Sequence, residues 1–333
     1  MKAVRLHGTQ DLRVETVDEP VAPGDGEVLI GVAAAGICGS DIHNYQTGRW
    51  ITRAPSVAGH EFAGHVLATG PGVTDFRAGD LVVADSRYWC GHCGACNSGN
   101  PQFCETLGFV GEVCDGGFAE RTLLPERLLH KVDAGVPPEV AATAEPLAVA
   151  LHAVRQLAAP PGAAVLVAGC GMIGALAALL LSRQDNRQVL IADRNGERVA
   201  RVCAVTGARP VTLDAASVSL ATAGQGIACA VEATGSAAVL AQLLGLANNG
   251  GRIALVGIFH GTLELDPTLL VERELSLLGC HAFRNELPEA VSLLGELSDG
   301  IAGFLDCGHT LDDVPQAYRR IIAGEVVLSL IHI

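Results

Sequence analysis

The sequence predicts an α/β protein in which a compact β-rich domain is joined to a doubly wound parallel sheet. Three observations carry that expectation. Up to about residue 124, short apolar stretches such as Glu27-Val-Leu-Ile-Gly-Val32 and Asp80-Leu-Val-Val-Ala84 are separated by Pro/Gly/Asp clusters, the pattern of short strands joined by turns. From about residue 146 the texture changes to strands alternating with helical segments, which is how a parallel sheet with helical crossovers reads. A glycine turn, Gly169 to Gly174, stands between the first of those strands and its helix.

Taken in order, the second half predicts strands at 165–168, 188–193, 228–232, 252–257 and 275–278. A helix-like segment at 286–297, the stretch 306–310 and a last helix at 314–322 are expected to return to the first domain. The expected division is therefore 1–146 with 282–333 for the β-rich domain, and 147–281 for the parallel sheet. A chain of 333 residues suits two domains at about 150 residues each. Residues 163–181 run nineteen positions without a charge, near the length of a membrane span. Their internal grammar argues otherwise, because a β-rich run, three glycines and an Ala/Leu-rich run read as strand, turn and buried helix.

Lys and Arg total 22 against 36 acids, a net charge of -14. That balance repels phosphate backbones and anionic lipid, so neither nucleic acid nor a membrane is an expected partner. The start, Met1-Lys-Ala-Val-Arg-Leu6, has no apolar leader region, and a cytoplasmic protein is expected.

Four cysteines, Cys90, Cys93, Cys96 and Cys104, lie in one short loop with the spacing C-x2-C-x2-C-x7-C. Four thiolates complete a tetrahedral zinc shell and leave no open position, so this lobe, at about 88–106, is expected to hold a structural zinc. Disulfides are the alternative, and the remaining cysteines, scattered through apolar segments, suit a reducing compartment instead.

Gly169-Cys-Gly171-Met-Ile-Gly174 matches G-x-G-x-x-G after a predicted strand and before a predicted helix, and Asp193 follows nineteen residues beyond Gly174. This is the Rossmann dinucleotide pattern: glycines let the backbone approach a pyrophosphate, the helix N-terminus offers N–H groups, and Asp193 can accept from the adenosine ribose. The carboxylate makes NAD the expected cofactor, while Arg194 and Arg198 leave NADP as the alternative.

A third constellation combines Gly36-Ile-Cys38-Gly-Ser40-Asp41-Ile-His43, Gly59-His60-Glu61-Phe-Ala-Gly64 and Ala144-Glu145-Pro146-Leu-Ala-Val-Ala-Leu-His152. Each is ordinary alone. Together they offer a thiolate, an imidazole and carboxylates, the mixed ligand set of a zinc site that keeps a position open.

With these segments in view, the chain resembles the zinc-dependent medium-chain dehydrogenases of the alcohol and polyol family over nearly its whole length. Glu145 stands where alcohol dehydrogenases have a further cysteine ligand, which is similar to the polyol branch of sorbitol, xylitol and L-idonate dehydrogenases. Asp115-Gly-Gly-Phe118, residues 144–150 and Arg273-Glu-Leu-Ser276 with Phe283-Arg284 resemble the L-idonate 5-dehydrogenase subgroup most. The resemblance implies a GroES-like catalytic domain beside the Rossmann domain, two zinc ions per chain, and a homo-oligomer, either dimer or tetramer. It implies that Cys38, His60 and Glu61 bind the catalytic zinc, with Glu145 as a direct or water-mediated partner. It further implies that Ser40 and His43 form a proton relay, and that Ile173, Val256, Gly257, Phe283 and Arg284 line the cofactor. Zinc would polarise the substrate oxygen and stabilise an alkoxide that expels hydride to the nicotinamide.

Two departures touch the implied substrate pocket. Asn44 and then Tyr45 follow His43 where polyol dehydrogenases often carry an aromatic residue directly, and Asn285 stands where sorbitol dehydrogenases usually have tyrosine. The expected substrate is a sugar acid such as L-idonate, with Arg284, Arg49 or Arg53 to meet its carboxylate, ahead of sorbitol or xylitol. The rival from another class is a dinucleotide-binding protein that has lost catalysis, and a nucleic-acid-binding zinc protein is a third reading. Finally, Leu328-Ser-Leu-Ile-His-Ile333 resembles a translated transposon end, with a genuine apolar strand as the alternative that its alternation allows. The native terminus is therefore expected to be missing and the first domain to be less stable than in a full-length relative.

Overall fold

The computed structural model describes residues 1–184, 187–324 and 329–333. The chain forms two compact units, one of residues 1–145 with 287–333 and one of residues 146–286.

In the first unit, strand Glu27–Gly36 pairs antiparallel with Glu61–Thr69 and with Arg121–Pro125. Leu81–Ala84 and Leu129–Lys131 extend the sheet on one side, and Ser329–His332 with Asp306–His309 extend it on the other. Residues 325–328 of the terminal segment lie outside the described residues. Alternation along Glu27–Gly36 sends Val28, Ile30, Val32 and Ala34 into the core, as expected for a strand with one buried face. That core is closed by Phe62, Phe118 and Tyr318, the last from helix Val314–Ile322. Tyr318 meets Tyr45 and Phe118 edge-on at 5.5 and 6.5 Å between ring centroids.

The second unit is a six-stranded parallel sheet in the order Arg209–Pro210, Gln188–Ala192, Ala164–Ala168, Ile227–Glu232, Ala247–Leu255, Ser276–Gly279. The strand order reverses between Ala164–Ala168 and Ile227–Glu232, and open sheets of this kind bind ligands at such a point, beyond the carboxyl ends of the strands. Residues 163–181 resolve into strand Ala164–Ala168 and the almost wholly buried helix Met172–Ser182. No helix among the described residues is long and apolar enough to cross a membrane.

The sequence reading misses the edge strand Arg209–Pro210, two exposed residues with no apolar alternation to mark them. It also starts Ala247–Leu255 five residues late, because Asn248-Asn-Gly-Gly251 carries turn signals that the parallel pairing overrides. The helix expected at 286–297 runs Leu287–Ala302.

Candidate active site

The four-cysteine lobe is built by short local turns. Cys93 caps helix Gly94–Asn97, and the turn Pro101–Phe103 delivers Cys104. All four sulfurs lie within 4.8 Å of one another, with Cys93–Cys96 at 3.5 Å and Cys90–Cys96 at 3.9 Å. These separations match the edge of about 3.8 Å that zinc–sulfur bonds of about 2.3 Å give a tetrahedron, so the donor set fits the ion. Backbone N–H groups of Cys90 and Cys93 donate to the sulfurs of Cys104 and Cys90, each at 3.3 Å. The bond from Cys90 N–H is the main cause that brings the Cys104 thiol down to about 6.

The mixed cluster arises from strand register. Gly36 sits opposite Glu61 across the pairing of Glu27–Gly36 with Glu61–Thr69. Continuing two residues beyond Gly36 and stepping back one from Glu61 brings Cys38 to His60. Cys38, His60 and Glu61 place their donor atoms within 4.8 Å of one another. Gly59, at φ +88, keeps this turn in place over Phe118, whose ring a Cβ would meet at 2.7 Å.

Burial pushes the Cys38 thiol up to about 12, reinforced by the charges of Asp41 and Glu145, while hydrogen bonding from Ser40 opposes the rise. Burial likewise raises the Glu61 carboxyl well above its ordinary range and raises Glu145. For His60, burial disfavours the charged ring, but Asp41, Glu145 and Glu61 outweigh it and its pKa rises. Buried acidic donors crowded in this way suit a divalent cation, whose charge inverts the local preference for neutral forms. The set therefore fits zinc as well.

Helix Gly39–Thr47 is capped by Cys38 and carries Ser40 and His43 one turn apart on one face. Ser40 Oγ lies 3.5 Å from His60 Nε2, and the buried His43 ring packs on Trp50 at 4.5 Å. Glu145 stands outside the three-residue cluster; its Oε1 accepts from Ser86 Oγ at 2.7 Å.

Around the cluster are residues the sequence reading does not assign. Asp41 accepts from the Cys38 N–H at 3.0 Å and faces His60 Nδ1 at 3.7 Å. Burial raises Glu112 to about 7, with the nearby His60 opposing. Ser86 lies between Asp85 and Arg87, which form a buried ion pair at 2.7 Å. Spacing holds no signal for Ser86, which reaches Glu145 from 59 residues away.

In the second unit, Gly169 has φ +104, and a Cβ there would meet Ala233 and Thr234 at 3.0 Å. A Cβ on Gly174 would lie 1.8 Å from the Gly169 carbonyl oxygen, so helix and strand approach through that glycine. At Gly171 a Cβ would meet nothing within 4 Å. The first and third glycines serve packing, and the second leaves an open cradle at the N-terminus of helix Met172–Ser182, the place where a pyrophosphate fits. Ile173 is half-buried on the first turn of that helix.

Asp193 accepts from Cys170 N–H at 2.6 Å and from Asn195 N–H at 2.8 Å, one bond to each oxygen. Arg198 is close enough to lower the thiol pKa of Cys170 against the burial that pushes it up to about 12. The N–H groups of Val256 and Gly257 donate to the Glu232 carbonyl at 2.9 and 3.0 Å. Phe283 is fully buried, and Arg284 is exposed with its N–H held by Glu286 at 2.6 Å. Among the guanidinium groups expected to meet a carboxylate, that of Arg53 is paired with Asp115 at 2.5 Å. The Arg49 side chain is exposed.

Residues 24–134 match the alcohol dehydrogenase GroES-like domain family, and residues 173–296 match the zinc-binding dehydrogenase family. A sorbitol dehydrogenase of Halalkalibacterium halodurans is 32% identical over 338 residues, covering 98% of this chain and 96% of the relative. An L-galactonate-5-dehydrogenase of Escherichia coli is 34% identical over 83% of this chain and 81% of its own length. An L-threonine 3-dehydrogenase of Deinococcus deserti is 36% identical over 91% and 90%. Among solved structures, a zinc-binding dehydrogenase from Sinorhizobium meliloti bound to NADP superposes with a TM-score of 0.92 at 28% identity, covering 100% of this chain and 99% of that one. An alcohol dehydrogenase from E. coli CFT073 complexed with NADH gives 0.88 at 28% identity, with the same coverage.

Proposed function

Because the chain belongs to the zinc-binding medium-chain dehydrogenase family, we propose that it oxidises a secondary hydroxyl of a sugar acid of the L-idonate kind to the ketone, with NAD preferred over NADP. Cys38, His60 and Glu61 would hold the catalytic zinc, and Cys90, Cys93, Cys96 and Cys104 the structural one. The observation that carries this reading is the half-buried Cys38 thiol, the His60 imidazole and the buried Glu61 carboxyl within 4.8 Å of one another, with the Ser40 hydroxyl 3.5 Å from His60.

When bound, zinc supplies the Lewis acidity that lowers the substrate hydroxyl pKa, and the nicotinamide supplies the hydride acceptor. The protein's own groups do the rest. Ser40 Oγ takes the hydroxyl proton, and His43, one turn further along the same helix, carries it outward. Asp41, facing His60 Nδ1, fixes the orientation of that ring. Glu145, tethered by Ser86, supplies a carboxyl beside the ligand cluster. The glycine turn and Asp193 bind and orient the dinucleotide.

Two facts favour an acid over a neutral polyol. A relative 34% identical to this chain acts on L-galactonate, and Arg284 and Arg49 are exposed guanidinium-bearing side chains of the type that pairs with carboxylates. A net charge of -14 gives an anion no general steering, so local pairing has to supply the affinity. The sorbitol dehydrogenase relative supports the second reading, a sorbitol or xylitol dehydrogenase. Initial rates on L-idonate, D-gluconate, sorbitol, xylitol and L-threonine, followed by reduced-cofactor absorbance, decide between them. The acid reading expects an aldonate to show the highest kcat/KM, and higher values on sorbitol or xylitol would contradict it.

A further inference from the structure

We propose that Glu232 is a positioning residue that locks together the turns of the dinucleotide face and thereby sets cofactor affinity, an inference that rests on the dinucleotide-binding reading above. Glu232 ends strand Ile227–Glu232 and is 0% exposed. It stands beside the point where the strand order reverses, the place in open parallel sheets where ligands bind. A buried carboxyl is costly unless its oxygens are satisfied, so what it bonds to identifies its task.

Its carboxyl oxygens bond to the turn that follows its own strand, and its carbonyl to the turn that follows the neighbouring strand. Oε1 accepts from the N–H of Thr234 at 2.9 Å and from the Thr234 hydroxyl. Oε2 accepts from the N–H of Gly235 at 3.1 Å. The Glu232 carbonyl accepts from the N–H groups of Val256 and Gly257. The turn so held touches both neighbours. On one side Ala233 and the Thr234 methyl press against Gly169, leaving 3.0 Å to where a Cβ would sit. On the other, a Cβ on Gly257 would fall 2.7 Å from Glu232 Oε2 and 2.1 Å from the Gly235 nitrogen. One side chain thus fixes the turn at 233–235 between the first glycine of the dinucleotide motif and Gly257. Turns held in place before the ligand arrives lower the ordering cost of binding it.

The test uses the full chain and three variants. Glu232→Gln replaces one acceptor oxygen with a donor that must face an N–H or O–H donor. Thr234→Val removes, with little change of shape, the hydroxyl bond to Glu232 and the bond that the same hydroxyl accepts from the Ser236 N–H at 3.1 Å. Leu243→Ala truncates a core residue of the same unit that takes no part in this network. Dissociation constants for NADH and NADPH are measured by fluorescence, with Tm and with KM for NAD and for the alcohol. Glu232→Gln is expected to weaken cofactor binding about tenfold or more, raising KM for NAD while KM for the alcohol stays within about twofold. Thr234→Val is expected to weaken binding less, and Leu243→Ala to lower Tm at unchanged affinity. If Glu232→Gln does not fold, Thr234→Val decides. A folded Glu232→Gln with wild-type affinity, or a Thr234→Val that does not weaken binding, would overturn the proposal. So would a loss of affinity in Leu243→Ala that matches its loss of stability. Wild-type protein that binds neither nucleotide would instead overturn the dinucleotide reading, and this proposal with it.

Discussion

Gly36 sits directly opposite Glu61 in the central strand pairing, and a Cβ on Gly36 would lie 2.6 Å from Glu61 Oε2. The missing side chain is what lets a buried carboxyl occupy the corner where Cys38 and His60 converge. Gly36→Ala is therefore expected to displace Glu61 at a cost of about 1–3 kcal/mol, as overpacking usually does. Zinc retention and kcat/KM should both fall, the latter about tenfold. Unchanged values for both would show that Glu61 is free to move without consequence.

Ser86 and Glu145 form a second such pair, with the hydroxyl donating to the carboxyl at 2.7 Å. Ser86→Ala leaves a buried acceptor without its donor, which costs about 1–3 kcal/mol. Because the Ser86 bond opposes the burial that raises Glu145, its removal should raise that pKa further. A fall in kcat of about tenfold with zinc content intact is expected. Wild-type kcat would show that Glu145 acts without its tether.

How much of this was legible without coordinates depends on distance along the chain. The four thiols of the lobe fall between positions 90 and 104, and the three glycines between 169 and 174, so spacing alone singles them out. Cys38 and His60 are ordinary residues that become a cluster only through the register of two strands, and the family resemblance rather than periodicity points to them. Ser86, Asp41 and the buried Tyr318 belong to the same neighbourhood but leave no local trace. A hydroxyl 59 residues from its acceptor and a phenol from the last helix of the first unit are placed by tertiary packing alone. Glu232 ends a strand that the pattern predicts, yet only its bonds reveal why a carboxyl stands there.

In the proposed reading cofactor choice turns on Asp193, whose carboxyl is held by the N–H groups of Cys170 and Asn195. Both oxygens keep capacity for a further bond, and a 2'-phosphate would meet the charge. Wild-type protein is expected to favour NAD, and Asp193→Ser to shift the ratio of kcat/KM values toward NADP by about tenfold or more, with Arg194 and Arg198 then facing the phosphate. A wild-type preference for NADP would mean that the arginines outweigh the carboxylate.

The lobe offers four donors and the mixed cluster three, so the two zinc ions proposed for them should differ in lability. Chelation is expected to remove activity before it unfolds the chain. Cys90→Ser should cost one zinc per chain and lower Tm by several degrees, since structural zinc contributes folding energy directly. Coincident loss of activity and fold on chelation would contradict the assignment of separate tasks.

The most direct test of the account is zinc content and alcohol-dependent NAD reduction in the wild type and Cys38→Ala, measured on metal-replete protein with the best substrate of the panel. The expected result is two zinc ions per chain and turnover in the wild type, against one zinc, a retained fold and activity lower by about a thousandfold or more in the variant. Full activity in Cys38→Ala, or no turnover of any secondary alcohol by zinc-replete wild type, would contradict it.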